Sequence, residues 1–189
     1  ACYMEAYERT PPGPGRMSRA LLTHCLSDAQ CWTDQLRQSS SAVFAALTDV
    51  TRMGEWSPET YRAEWDDGFD RAEVGAVFTG HNRNGDKDWS TQATIVELVP
   101  DERFFFDCSF HGFVFAKWGY AIEATPSGCR VTEYTQDLRP ESALAMSAEM
   151  SGVADRHAHN RAGMELTLER LAAADRLAID ARGGPQQIG

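Results

Sequence analysis

The chain has no apolar run approaching the ~20 residues that a membrane-spanning helix needs. It also lacks a block of lysines and arginines. There are 18 basic against 28 acidic side chains, and the formal net charge is −10. Such a surface repels nucleic-acid backbones and anionic lipid on average. Neither a nucleic-acid partner nor stable membrane insertion is expected. There is no G-x-S-x-G, no Walker loop and no G-x-G-x-x-G, so phosphoryl transfer and nucleotide-dependent redox chemistry have no motif to rest on. There is no C-x-x-C either. The cysteines are Cys2, Cys25, Cys31, Cys108 and Cys129, an odd count, and no secretory apolar stretch opens the sequence. This predicts free thiols in a reducing, cytoplasmic setting. Cys108 stands among phenylalanines, where a thiol is usually inert.

What is present suits one domain. The chain has 189 residues, 42% of them hydrophobic, enough for a sizeable core. The first sixteen residues hold the breaker cluster "PPGPG" and predict a disordered, dispensable tail, with Met17 a candidate natural start. Residues 17–182 are expected to form the domain, and 183–189, "GGPQQIG", a frayed end. Between tail and domain, "ALLTHCL" (20–26) reads as a strand. "SDAQCWTDQLRQ" is too polar for a buried strand and only weakly periodic as a helix.

From Ser39 the pattern sharpens. Serine caps precede Val43, Phe44, Leu47 and Val50 on one face of a short helix. "TRMGEWSPE" predicts another turn or short helix ending at Pro58. The period then becomes two. Tyr61, Ala63 and Trp65 alternate with charged residues, and strand-like runs follow at 76–83, 88–99, 103–110, 113–125 and 129–138. Asn84-Gly85, Pro100-Asp101 (a type I turn), His111-Gly112 and Ser127-Gly128 are the expected turns. Strands joined so tightly must be antiparallel, giving a meander of about six. A long helix ends the domain, with "RPESALAMSAEM" as lead-in. Its apolar stripe runs Val153, Met164, Leu168, Leu171, Ala174 and Ala178. Continued backwards it passes Asn160 and His157. A helix over a curled sheet leaves a gap between them, a pocket if the lining does not fill it.

The segments "VFAALTDVTRMGEWSPE", "GHNRNGDKDWSTQATIVELVP", "AKWGYAIEATPSGCRVTE" and "GVADRHAHNRAGMELTLERL" resemble the SRPBCC superfamily. The nearest branch is polyketide cyclase/dehydrase and lipid transport, with the START-like helix-grip fold. The resemblance runs from about Ser39 to Ala174. It implies an α+β fold: a curved antiparallel sheet of six to seven strands around a long C-terminal helix, with a short helix pair after the first strand. It implies a deep cavity for a hydrophobic or amphipathic small molecule. Some members are cyclases or aromatases, and no catalytic residue carries over as a fixed motif. The family places a first strand immediately before "SSSAVFAAL", where "CWTDQLRQ" makes a poor one. Either 20–26 supplies it with an insertion following, or this region is aberrant.

The candidate ligand-binding residues follow. His157 and Asn160 are read as polar anchors in an apolar pocket, because buried polar groups without partners are costly. The alternative is a frayed or kinked helix start with both in solvent. Met164 lies one turn further along. Phe104 and Phe106 share a strand face with Phe110. Trp118 and Tyr120 share one with Ile122. Such residues serve core and pocket wall alike. Phe78 and Trp89 join them, although alternation alone does not fix their faces. Glu133 faces inward if Val131 does, and a carboxyl there would have a raised pKa and act on a ligand proton. The competing reading puts it on the outer face, where charged residues usually stay. His81 is expected at the surface near a hairpin. His157-x-His159 has the wrong helical spacing for a metal, and neither metal nor cofactor is expected. Three functions remain open: a binding or transport protein, a cyclase/aromatase-type enzyme on a polyketide-like or aromatic substrate, and a non-catalytic regulatory partner.

Overall fold

The computed structural model describes residues 29–181, with side chains to residue 174. The expected strand at 20–26 and both expected termini lie outside the described residues. The elements are β1 (Ala29–Leu36), α1 (Ser40–Thr48), a 3-10 helix (Val50–Glu55), β2 (Thr60–Trp65), β3 (Val77–Asn84), β4 (Lys87–Val99), β5 (Arg103–Phe110), β6 (Phe113–Thr125), β7 (Gly128–Asp137), α2 (Glu141–Ser151) and α3 (Arg156–Ala181). The seven strands form one antiparallel sheet in the order β1-β7-β6-β5-β4-β3-β2. This is the α+β helix-grip architecture expected from the sequence. No described helix is long and apolar enough to cross a membrane.

The first strand corrects the reading of "CWTDQLRQ". Its polarity suits a sheet edge, because among the described residues one side of the ribbon has no neighbouring strand and its outer face meets water. Cys31, Thr33 and Gln35 are exposed, while Leu36 is buried. Polar side chains also tie the strand to its neighbours. Thr33 Oγ1 and Thr132 Oγ1 lie 2.8 Å apart, and Gln35 Nε2 donates to the Cys129 carbonyl at 3.0 Å.

The remaining elements follow their local chemistry. The Ser39 side chain caps α1 by accepting from the Ala42 amide at 3.2 Å. Val43, Leu47 and Val50 are buried beneath it. Two turns differ from expectation. The β3–β4 loop is Gly85-Asp86, one residue later than Asn84-Gly85, with Gly85 at φ 59°. Asn84 instead donates Nδ2 to the Ser151 carbonyl at 3.0 Å, holding the end of α2. Asp101 has φ 62°, and Glu102 N bonds the Val99 carbonyl, so that turn is type II rather than type I.

Strand register shifts at Thr60/Arg62, Ile95/Glu97 and Cys108/Ser109 bend the sheet. The core lies on its concave side and includes Leu36, Phe78, Ile95, Phe104, Ile122, Val131, Leu168 and Leu171. Burying such side chains contributes about 1.5–3 kcal/mol each. The α3 stripe therefore supplies Leu168 and Leu171 to the core as expected, whereas Ala174 is exposed.

Candidate functional site

The sheet curls further than the helices fill. A cavity of about 440 Å³ remains between its concave face, α2 and the first half of α3. Inward positions of β5 and β6 give one continuous part of the wall: Phe106, Cys108, Ala116, Trp118 and Tyr120. Phe110, Phe113 and Phe115 continue it to the β5–β6 hairpin. There His111 (φ 49°) and Gly112 (φ 79°) make the tight turn. Phe113 is 53% exposed and Met146 of α2 64%, so this end opens to solvent.

The helix contributes an unexpected line of residues. Arg156, His159, Asn160, Gly163 and Thr167 line the cavity, at spacings of three and four. At ~100° per residue, this line lies roughly 90° around α3 from the Met164–Leu168–Leu171 stripe. Asn160 falls near the border and does reach the cavity, where it is buried. His157 falls on the far side and does not. It sits in the first turn of α3, exposed, and its carbonyl accepts from Gln30 Nε2 at 2.8 Å. The expectation that His157 faces the pocket is corrected by this geometry.

Of the other candidates, Trp89, Phe106, Trp118, Tyr120 and Glu133 stand in the wall. Trp118 is half-buried, because its ring borders open space. Phe78, Phe104 and Met164 are almost fully buried and do not line the cavity. Phe78 and Phe104 are packing partners of Phe106, with ring centroids 5.3 Å away in each case. His81 faces outward from β3, with Nδ1 2.9 Å from Ser90 Oγ and Nε2 3.0 Å from Glu64 Oε1.

Glu133 points inward with Val131 and Thr135, not outward as a charged residue usually does. Tyr120 is its cross-strand partner on β6, and the phenol donates to Oε1 at 3.0 Å. Burial pushes the Glu133 carboxyl up to about 8, against a smaller opposing effect of the Tyr120 hydrogen bond. Tyr120 is raised well above its usual range, by burial first and then by the neighbouring carboxylate. The phenol therefore remains the donor. Glu133 Oε2 and Thr135 Oγ1 are both buried without a hydrogen-bond partner among the described residues.

Sequence reasoning missed the charged end of the cavity. Arg156 Nη1 donates to Glu59 Oε1 at 2.6 Å, and His159 Nε2 lies 3.2 Å from the same oxygen. The Arg156 guanidinium also stands 5.9 Å from the Trp89 ring. Arg139 forks onto Asp137 and donates Nη1 to Ser147 Oγ at 2.6 Å. Burial pushes the Asp137 carboxyl up, but the Arg139 hydrogen bonds outweigh it and hold it below its usual range. The Met146–Met150 pair was visible as a helical spacing, and both residues line the cavity. Nothing local in the sequence marks Glu59 or Arg139. They reach the site only through the fold. The Cys108 thiol is pushed up to about 12 by burial, which makes it a poor nucleophile.

The arrangement offers a mostly apolar chamber, rich in aromatic rings, with one buried acid in its wall and ion pairs at one end. Comparison with known proteins bears on this. The family model described as polyketide cyclase / dehydrase and lipid transport matches residues 37–174. No curated protein matches by sequence. Protein NE0264 from Nitrosomonas europaea is similar in structure, with a TM-score of 0.60 at 12% identity, covering 82% of this chain and 98% of that one. The di-domain ARO/CYC StfQ from the steffimycin biosynthetic pathway has a TM-score of 0.60 at 14% identity, covering 85% of this chain and 62% of that one. The AHSA1-like protein from Aeromonas hydrophila has a TM-score of 0.55 at 16% identity, covering 79% and 93% respectively. At these identities the likeness is one of fold.

Proposed function

The chain belongs to the polyketide cyclase / dehydrase and lipid transport family, and from that premise we propose that it binds a small apolar or amphipathic molecule between the sheet and α3. One observation carries the reading: the cavity of about 440 Å³ walled by Phe106, Trp118, Tyr120 and their neighbours. Ligand sites commonly enclose ~300–1,000 Å³ with apolar walls and a few placed polar groups. Unfilled space of this size sacrifices dispersion contacts, so a domain built only for stability would close it. The test is native mass spectrometry of the purified protein, followed by titration with ethylnaphthalene. Wild type should retain or take up one molecule. Ala143→Trp, which adds an indole to the cavity wall, should fold and lose the binding. Undiminished binding by that variant would refute the site.

A second reading has its own observation. The buried Glu133–Tyr120 pair holds a carboxyl whose raised pKa suits proton exchange near neutral pH. In a cyclase/aromatase-type enzyme, the neutral Glu133 would give its proton to a substrate carbonyl and, as the carboxylate, take one back from the adjacent carbon, while Tyr120 would hold the carboxyl in place. Turnover of an aromatic polycarbonyl compound that disappears in Glu133→Gln, with ethylnaphthalene binding kept, would favour it over plain binding.

A further inference from the structure

The acids and bases lining the cavity do not balance pairwise. Glu59 is matched by Arg156, and Asp137 by Arg139. Glu133 has no cationic partner among the described residues. Tyr120 serves one of its oxygens, while the other is buried without a hydrogen-bond partner. Around this carboxyl the sheet register gathers aromatic rings. Tyr120 is directly opposite on β6, Trp118 is its diagonal neighbour, and Phe106 pairs with Trp118 across β5. A buried carboxyl beside aromatic faces suits an organic ammonium ion, which gains a charge-assisted hydrogen bond and the attraction of the ring faces together. The formal net charge of −10 favours the approach of cations over anions.

Building on the binding function proposed above, we infer that the ligand is an amphipathic amine, its ammonium group bound to Glu133 and its apolar body lying between the sheet and α3. Binding is then a balanced proton exchange. The ammonium ion enters with its charge, Glu133 gives up its proton to solvent, and the charges of the lining residues cancel. With the carboxyl at about 8 in the empty protein, Glu133 is largely neutral at pH 7, so the amine must expel that proton. The other ionisable groups facing the cavity are Tyr120, raised out of range; Cys108, likewise; the two arginine–carboxylate pairs; and His159 beside Glu59. α2 presents no ionisable lining residue.

The test titrates the whole chain with three naphthalenes of nearly equal size, carrying an aminomethyl, an acetyl or an ethyl group. The amine should bind tightest, its affinity rising about tenfold from pH 6 to pH 7, where aliphatic amines stay protonated. Calorimetry in two buffers of different ionisation enthalpy should count about 0.9 proton released at pH 7. Glu133→Gln keeps an acceptor for Tyr120; it should drop the amine below the ethyl compound, because the ammonium then has no buried counter-charge, and abolish the pH slope. A slope surviving in that variant comes from another group and overturns the inference. Equal binding of amine and ethyl compounds overturns it too, while leaving the cavity reading intact. Preference for the acetyl compound, lost above about pH 8, would instead make Glu133 a neutral donor to a carbonyl. Failure of all three to bind refutes the binding function itself. If Glu133→Gln does not fold, the proton count on the unaltered protein decides.

Discussion

Glu133→Gln should make the ligand-free protein gain stability relative to wild type as the pH rises towards neutral, although it removes an ionisable residue from the site. The argument is one of linkage. The folded state raises the Glu133 carboxyl from its ordinary 4.5 to about 8, chiefly because burial penalises the carboxylate. Below about pH 4.5 the acid is protonated in both folded and unfolded chains, and it costs nothing. Above that, the unfolded chain ionises freely while the folded chain holds its proton. Stability is then lost at about 1.4 kcal/mol per pH unit until the folded acid ionises near 8. By pH 7 the deficit is on the order of 3 kcal/mol, and glutamine does not incur it. Its amide oxygen still accepts from Tyr120, though its amide nitrogen inherits the unpartnered position of Oε2 and offsets ~1–3 kcal/mol at every pH. The pH-dependent part is therefore the diagnostic. Urea unfolding of both proteins from about pH 4.5 to pH 8 measures it, and all other titrations cancel in the difference. The variant should gain steadily on wild type across this window. A difference that is flat with pH would show that the folded protein does not hold the acid neutral, and would refute the reasoning.

Other perturbations separate core from cavity. Leu168→Ala removes a side chain from the fully buried part of α3 and should cost about 2–5 kcal/mol in denaturant unfolding. Phe104→Ala should cost about 3–5 kcal/mol, and Trp118→Ala clearly less, since its ring borders the cavity; equal losses would mean that the cavity is closed in solution. Asn160→Ala should weaken an amphipathic probe with little effect on unfolding, whereas His157→Ala should change neither, staying within ~0.5 kcal/mol. Gly119→Ala should cost about 1–3 kcal/mol, because its Cβ would stand 2.2 Å from the Phe105 ring. Phe105→Ala in the same chain should recover most of that difference in thermal melts.

The β2–β7 meander was legible because half-buried strands alternate and their turns use Gly, Asn, Asp and Pro. β1 was not, since an edge strand obeys a weaker rule. Only Leu36 of β1 is fully buried, and its exposed side carries Cys31, Thr33 and Gln35. On α3, the apolar stripe correctly marks Leu168 and Leu171 as core. It cannot mark the cavity line, because Arg156, His159, Asn160, Gly163 and Thr167 share no hydrophobic signal. Extending the stripe backwards therefore selected His157 in place of His159. Glu133 shows a different limit. Its alternation with Val131 implied an inward side chain, while its charge argued for the surface. The decision came from its pairing with Tyr120, which needs the β6–β7 register.

The methionines offer the most direct test of a ligand held between sheet and helix. Met53 of the 3-10 helix and Met146 and Met150 of α2 line the cavity, whereas Met164 is buried in the packing of α3 away from it. NMR spectra of methyl-labelled methionine, recorded while ethylnaphthalene is added, read all four at once. The account predicts saturable shifts of Met53, Met146 and Met150 with one common dissociation constant, and the smallest shift at Met164. Shifts centred on Met164, or no saturable shift at the three lining methyls, would contradict it.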